Sequence, residues 1–154
     1  MRSCRRGAPP SGSSIGCVQP LGVHHIGVAV TDLDEAVASY SFVLGGTLEH
    51  REALPDQGVE AASMLLGVSR IELLAPTDQD TPVGRFIAKR GPGMHHIAYE
   101  VEDVDETLAG LAAAGTELID VVPRLGLFGL QVAFIHPDAV HGVLTEVVSV
   151  ARVS

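Results

Sequence analysis

Two adjacent histidine pairs, His24-His25 and His95-His96, stand seventy-one residues apart, and each opens the same phrase: HHIGVAVTDLDEA at the first, HHIAYEVEDVDET at the second. Seven of the thirteen positions are identical, so the chain carries one unit twice. The last strand of each copy contains one acidic residue between apolar neighbours, Glu72 in RIELLAP and Glu146 in VLTEVVS. An ionised carboxylate is rarely placed among apolar residues without a partner. Two histidines and two glutamates at matched positions of a duplicated unit would meet across a pseudo-twofold axis. Imidazole and carboxylate together, without sulfur, suit a borderline or hard divalent ion: Co²⁺ first, with Mn²⁺, Ni²⁺ and Zn²⁺ as alternatives, one per chain. Four protein ligands on a six-coordinate ion leave two adjacent positions open, an arrangement for catalysis rather than for structure.

The elements that must position these groups are legible locally. His25 to Val30 and His96 to Val101 alternate, which turns Ile26, Val28 and Val30, or Ile97, Tyr99 and Val101, to a core and the second histidine to the other face. By that parity His24 and His95 point the wrong way and are expected to serve packing or backbone hydrogen bonds. His50, His136 and His141 lie near turns and receive no role. Asp32 and Asp103 are N-cap residues followed by Glu35 and Glu106, in a pattern like the capping box. Leu33, Ala36, Val37, Tyr40 and Leu44, and then Val104, Leu108, Leu111 and Ala112, recur at helical spacing before Gly45 and Gly115. Three strands are expected after each helix, at 47–54, 59–66 and 69–75, then at 117–122, 130–136 and 142–149. The fold class is therefore α+β, two tandem βαβββ modules (about 22–76 and 93–150) in a single domain 22–150, joined by a helical connector within 77–92.

Composition narrows the function further. The first twenty-two residues are rich in Ser, Gly, Pro and Arg and lack acidic residues, so residues 1–21 are expected to be a flexible tail, either a removable organelle-targeting segment or an over-called start. Both cysteines, Cys4 and Cys17, fall there, which leaves the body without a disulfide framework and fits a reducing compartment: the cytoplasm, or the mitochondrial matrix in a eukaryote. Three of the ten Lys and Arg also fall there, so seven basic residues face nineteen acidic ones in the body. Such a body repels nucleic acid, and no apolar run approaches the ~20 residues of a membrane span.

Two βαβββ units with a His…Glu…His…Glu set resemble the vicinal oxygen chelate superfamily, in which paired modules form a cupped mixed sheet around a metal. Within it, HIGVAVTDLDEAV, LPDQGVE, IELLAPTDQDTPVGRFIAKRGPGMHHIAYEV and QVAFIHP with HGVLTEVV are similar to the methylmalonyl-CoA epimerases. The resemblance implies that His25, Glu72, His96 and Glu146 are the metal ligands, the set already reached from the repeat. It implies an acyl-CoA substrate, a homodimer, and exchange of the C2 proton of methylmalonyl-CoA through a metal-stabilised enolate. Inversion needs two acid/base groups. Glu146 is one. Bacterial relatives often place the second two positions after the Val of QGV, where this chain has Ala61; Glu60 precedes it and can serve only if a bulge re-aims it. Asp138 stands where relatives usually show Lys or Arg. The substrate-binding positions are Gln57, Leu125 and Gly126, the last two in a flexible loop PRLGLFG, with Arg85 and Lys89 on the connector for the phosphates, beside Arg90. Two other readings share the fold: a glyoxalase I, against which stands HPDAVHGVLTEVV, and a metal-free resistance protein, which would lack the ligand set.

Overall fold

The computed structural model describes residues 17–150. Its element order is β1 (Gly22–Ala29), α1 (Leu33–Leu44), β2 (Thr47–Leu54), β3 (Val59–Leu66), β4 (Ser69–Pro76), α2 (Pro82–Arg90), β5 (Gly93–Glu100), α3 (Val104–Ala113), β6 (Arg124–Leu125), β7 (Gln131–Ile135) and β8 (Thr145–Ser149). One eight-stranded mixed sheet runs β2-β3-β4-β1-β5-β8-β7-β6, with β1–β4 and β5–β8 parallel and the remaining pairs antiparallel. The first strands of the two modules are therefore neighbours at the centre, and the pseudo-twofold axis passes between β1 and β5. The expected α+β fold of two βαβββ modules is the one found.

Helices α1 and α3 cover the same side of this sheet. Leu33 packs with Ala62, Met64, Leu73 and Ala75 in the first module, and Val104, Leu108 and Leu111 pack with Ala133, Ile135 and Val147 in the second. Each helix starts as its sequence requires: the Asp32 carboxylate accepts the Glu35 amide at 2.9 Å and the Asp103 carboxylate that of Glu106 at 2.8 Å. Gly45 ends α1 at φ 67°, a conformation open to glycine without strain. Leu44 and Ala112, placed in the apolar stripes by their spacing, lie instead at the exposed ends of their helices. On the opposite side a third cluster, Ala29, Val59, Ala61, Leu74, Val83 and Leu127, seats α2 and the loop before β7 at one end of the sheet's free face.

The second module departs from expectation at its first long strand. Residues 117–122 form a single bridge from Leu118 to Ile135, and the regular pairing shrinks to Arg124–Leu125. Asp120 is the cause: its carboxylate accepts the Phe134 amide at 2.8 Å, a bond that a strand carbonyl would otherwise take, while Arg124 pairs with its other oxygen. Pro123 then removes a further ladder donor. The last strand also begins later than expected, at Thr145, because Pro137–Val140 forms a 3₁₀ turn that ends on His141 at φ 54°. Most of the expected tail lies outside the described residues. Its last part does not behave as a tail: Val18 packs against the cluster under α3, and the Leu21 amide bonds to the Glu100 carbonyl at 2.8 Å.

Candidate metal centre and cleft

The strand register carries the four candidate ligands to one place. In one row across the sheet Glu72, Gly27 and His96 are consecutive partners on β4, β1 and β5. In the next, His25, Ala98 and Glu146 are consecutive on β1, β5 and β8. All four candidate side chains leave the face opposite α1 and α3, and in each row the middle residue is small. Gly27 has to be: a Cβ there would lie 2.1 Å from the His96 ring, which crosses β1 at that point. Ala98, its counterpart in the repeat, is fully buried.

The two imidazoles meet at the axis, Nε2 to Nε2 at 3.1 Å. Glu72 approaches His25 Nε2 at 3.4 Å, and Glu146 bridges the pair, one oxygen 3.7 Å from His25 Nε2 and the other 3.4 Å from His96 Nε2. Donor atoms of His25, Glu72 and His96 all lie within 4.8 Å of one another. His25, His96 and Glu146 are 4%, 2% and 4% exposed.

Behind His25 and His96 stands the other histidine of each pair. His24 and His25 face each other Nδ1 to Nδ1 at 2.9 Å, and His95 and His96 do so at 3.0 Å. In each pair one ring donates and the other accepts. A ligand that uses Nε2 keeps its proton on Nδ1, so His24 and His95 accept it and hold the rings in orientation. Of the packing or backbone hydrogen bonds expected of these two histidines, packing is found at His95, whose ring meets that of Phe86 at 4.8 Å between centroids; the ring-to-ring bonds were not expected, and a register shift between Val23 and His25 brings His24 alongside its neighbour.

Burial sets the charge state of the set. It lowers His25 to about 3, helped by His24 and Arg70, and holds His96 well below the usual imidazole range, so both rings are neutral. Burial likewise pushes Glu72 up to about 7, with the charge of Glu52 adding to the rise, and holds Glu146 well above the usual carboxylate range, with Glu72 adding to it. No Lys or Arg of the described residues forms an ion pair with either carboxylate. Two neutral imidazoles and two carboxyl groups short of positive charge are a donor set that a divalent cation fits.

Above the set opens a cleft whose lining includes Gln57, Arg70, Gly126, Phe128 and Leu130. The loop before β7 roofs it. Gln57 Nε2 donates to the Leu125 carbonyl at 2.9 Å, the Phe128 amide donates to Glu52 at 2.9 Å, and the His50 and Phe128 rings stack with centroids 4.6 Å apart. Phe128 sits at φ 60°, unusual for an aromatic residue and held by these contacts.

The other expected site residues divide. Gln57 and Gly126 line the cleft, and Leu125 reaches its rim through its carbonyl. Arg85 and Lys89 are exposed on α2 and do not line it; Arg85 donates to the Asp80 carbonyl, and Arg90 lies over the Phe86 ring at 5.8 Å. Glu60 is not brought to the set. β3 pairs with β4 without irregularity from Val59 to Leu66, so no bulge re-aims the side chain, which leaves on the α1 side and pairs with Arg51 at 2.6 Å. Sequence reasoning missed His24, His95 and Gly27 as supporting residues, although the repeat pairs the first two. It also gave no place to Arg70, which lines the cleft, or to Glu52, which accepts the Phe128 amide at its edge.

Comparison with known proteins agrees with this geometry. The family model of the glyoxalase/bleomycin resistance protein/dioxygenase superfamily matches residues 24–134. The chain is 35% identical to the human mitochondrial methylmalonyl-CoA epimerase over 133 residues, covering 85% of this chain and 76% of that protein. It is 36% identical to the ethylmalonyl-CoA/methylmalonyl-CoA epimerase of Cereibacter sphaeroides over 126 residues, 80% of this chain and 94% of the other. Its fold superposes with a TM-score of 0.83 on a variant of the Streptomyces coelicolor methylmalonyl-CoA epimerase in complex with 2-nitronate-propionyl-CoA, at 38% identity, covering 87% of this chain and all of that one.

Proposed function

The chain belongs to the methylmalonyl-CoA epimerases of the glyoxalase/bleomycin resistance protein/dioxygenase superfamily, and from that premise we propose that it is a metal-dependent enzyme interconverting (2R)- and (2S)-methylmalonyl-CoA. The observation that carries the metal dependence is the set of buried His25, His96 and Glu146 with partly buried Glu72 beneath the cleft. A divalent ion held by these four residues, Co²⁺ first, supplies the positive charge that makes a hydrogen between two carbonyl groups acidic enough to exchange. His25 and His96 offer neutral nitrogens without releasing protons, and His24 and His95 fix their rings. Glu146, buried with a raised proton affinity, moves a proton at one face of C2. Gln57 holds the Leu125 carbonyl, so the roof of the cleft is shaped before substrate arrives. Arg85 and Lys89, exposed on α2, are proposed to meet the phosphates of the CoA outside the cleft. The resemblance carries a homodimer into the same proposal.

Incubation of Co²⁺-loaded protein with (2S)-methylmalonyl-CoA in D₂O tests this. The expected result is deuterium at C2 together with appearance of the (2R) isomer. An inert protein that instead isomerises the glutathione hemithioacetal of methylglyoxal would replace the reading with a glyoxalase.

A further inference from the structure

Inversion at C2 takes a proton from one face of the substrate and returns one to the other, so it needs a second acid/base group across the cleft from Glu146. The described carboxylates on the cleft side of the sheet are few, and most are committed. Glu49 is held by both Arg70 Nε at 2.8 Å and Arg70 Nη2 at 3.1 Å and accepts from Ser63 at 3.0 Å; Glu100 is the last residue of β5 and does not line the cleft. Asp120 is taken by Arg124 and the Phe134 amide. Glu72 belongs to the metal set.

Glu52 remains. It stands on β2 directly across from Ala61 in the β2–β3 register, two residues along the strand from His50, which faces Ser63. Ala61 presents only a methyl group there, so the neighbouring carboxylate is not crowded. One Glu52 oxygen accepts the amide of Phe128, a residue lining the cleft, and lies 3.3 Å from His50 Nε2. The other takes no hydrogen bond among the described residues, and no Lys or Arg neutralises the group. Glu146 lines the cleft from β8, and Glu52 on β2 reaches its edge through the Phe128 amide.

Resting on the epimerase reading above, we propose that Glu52 is the second acid/base group of this site. Its carboxylate removes the C2 hydrogen of one stereoisomer as a proton, becoming a carboxylic acid, while the C–H electron pair passes into the adjacent carbonyl groups. Glu146 relays a proton from solvent to the opposite face of C2, the electron pair returns, Glu52 gives its proton back to solvent, and nothing is oxidised or reduced. For the other stereoisomer the two residues exchange roles.

The test compares wild type and Glu52→Gln, each loaded with Co²⁺, on the two stereoisomers separately in D₂O. Wild type that exchanges neither isomer refutes the epimerase reading itself, whatever the variant does. With an active wild type, Glu52→Gln is expected to keep metal content and melting temperature, to lose epimerisation by about 10²–10⁴-fold, and to exchange C2 hydrogen from only one isomer. The glutamine oxygen can still accept the Phe128 amide, so a residue that merely latches the loop would leave the variant at wild-type rates, which overturns the proposal. Equal loss of exchange from both isomers overturns it as well.

Discussion

At the scale of single residues, the centre works because burial keeps its imidazoles neutral and its carboxyl groups reluctant to ionise. His95 touches His96 through ring nitrogens only, so His95→Ala leaves all four proposed ligands in place and frees the His96 ring to turn. We expect metal affinity to fall about 10–100-fold, read by competition with a chelator; affinity equal to wild type would show that His95 only packs. The pH dependence follows from Glu72. Its folded value, about 7, lies above the ordinary 4.5, so the metal-free protein holds a proton that the unfolded chain has already released. That carboxyl therefore favours the fold at low pH and costs stability as pH rises through its folded value, and Glu146 acts in the same direction. A bound cation removes the cost. His25, at about 3, is neutral throughout this window and does not compete. The rise in melting temperature on adding Co²⁺ should therefore grow between about pH 5 and about pH 8; an increment that shrinks with pH would contradict this.

At the scale of elements, the second module shows how one side chain changes a strand. Asp120 takes the amide of Phe134 and the guanidinium of Arg124, which ends regular pairing where the first module continues it. Removing it leaves a part-buried strand donor without its partner. Asp120→Ala should destabilise the protein by about 1–3 kcal/mol, measurable by urea unfolding, and should loosen the loop that roofs the cleft. A change near zero would mean that a neighbouring carbonyl takes over the bond.

At the scale of the whole molecule, the cleft exists because each module ends in a sheet half and the halves join through β1 and β5. Each half supplies one histidine and one glutamate, so neither closes the set alone. The segment leading into β1 contributes to the joint: Val18 packs beneath α3 and Leu21 bonds to Glu100 on β5. We expect a chain starting at Leu21 or later to melt lower than one starting at Cys17, with a loss of about 1–2 kcal/mol from one partly buried valine and one hydrogen bond. Equal melting curves would remove Val18 and Leu21 from the fold's support.

Much of this was readable from the chain alone, because it follows from local rules. Period-two alternation assigned His25 and His96 to one face, the Asp-x-x-Glu pattern started both helices, and a seventy-one-residue shift matched His25 to His96. Glu72 and Glu146 stood out as acidic residues in apolar strands. What the tertiary structure decided are contacts between residues far apart in sequence. Glu60 lies beside the position where relatives carry a base, yet an unbroken β3 turns it to the outside, and one residue of parity is enough to do so. Glu52 lies nine residues before Ala61 and faces it only once β2 and β3 pair. The Nδ1 contact of His24 needs a register shift in β1, and the loss of the 117–122 strand needs Asp120 to reach Phe134. Alternation and spacing report which way a side chain leaves its own strand; which partner it meets depends on register, bulges and sheet order, and those are set by packing across the whole fold.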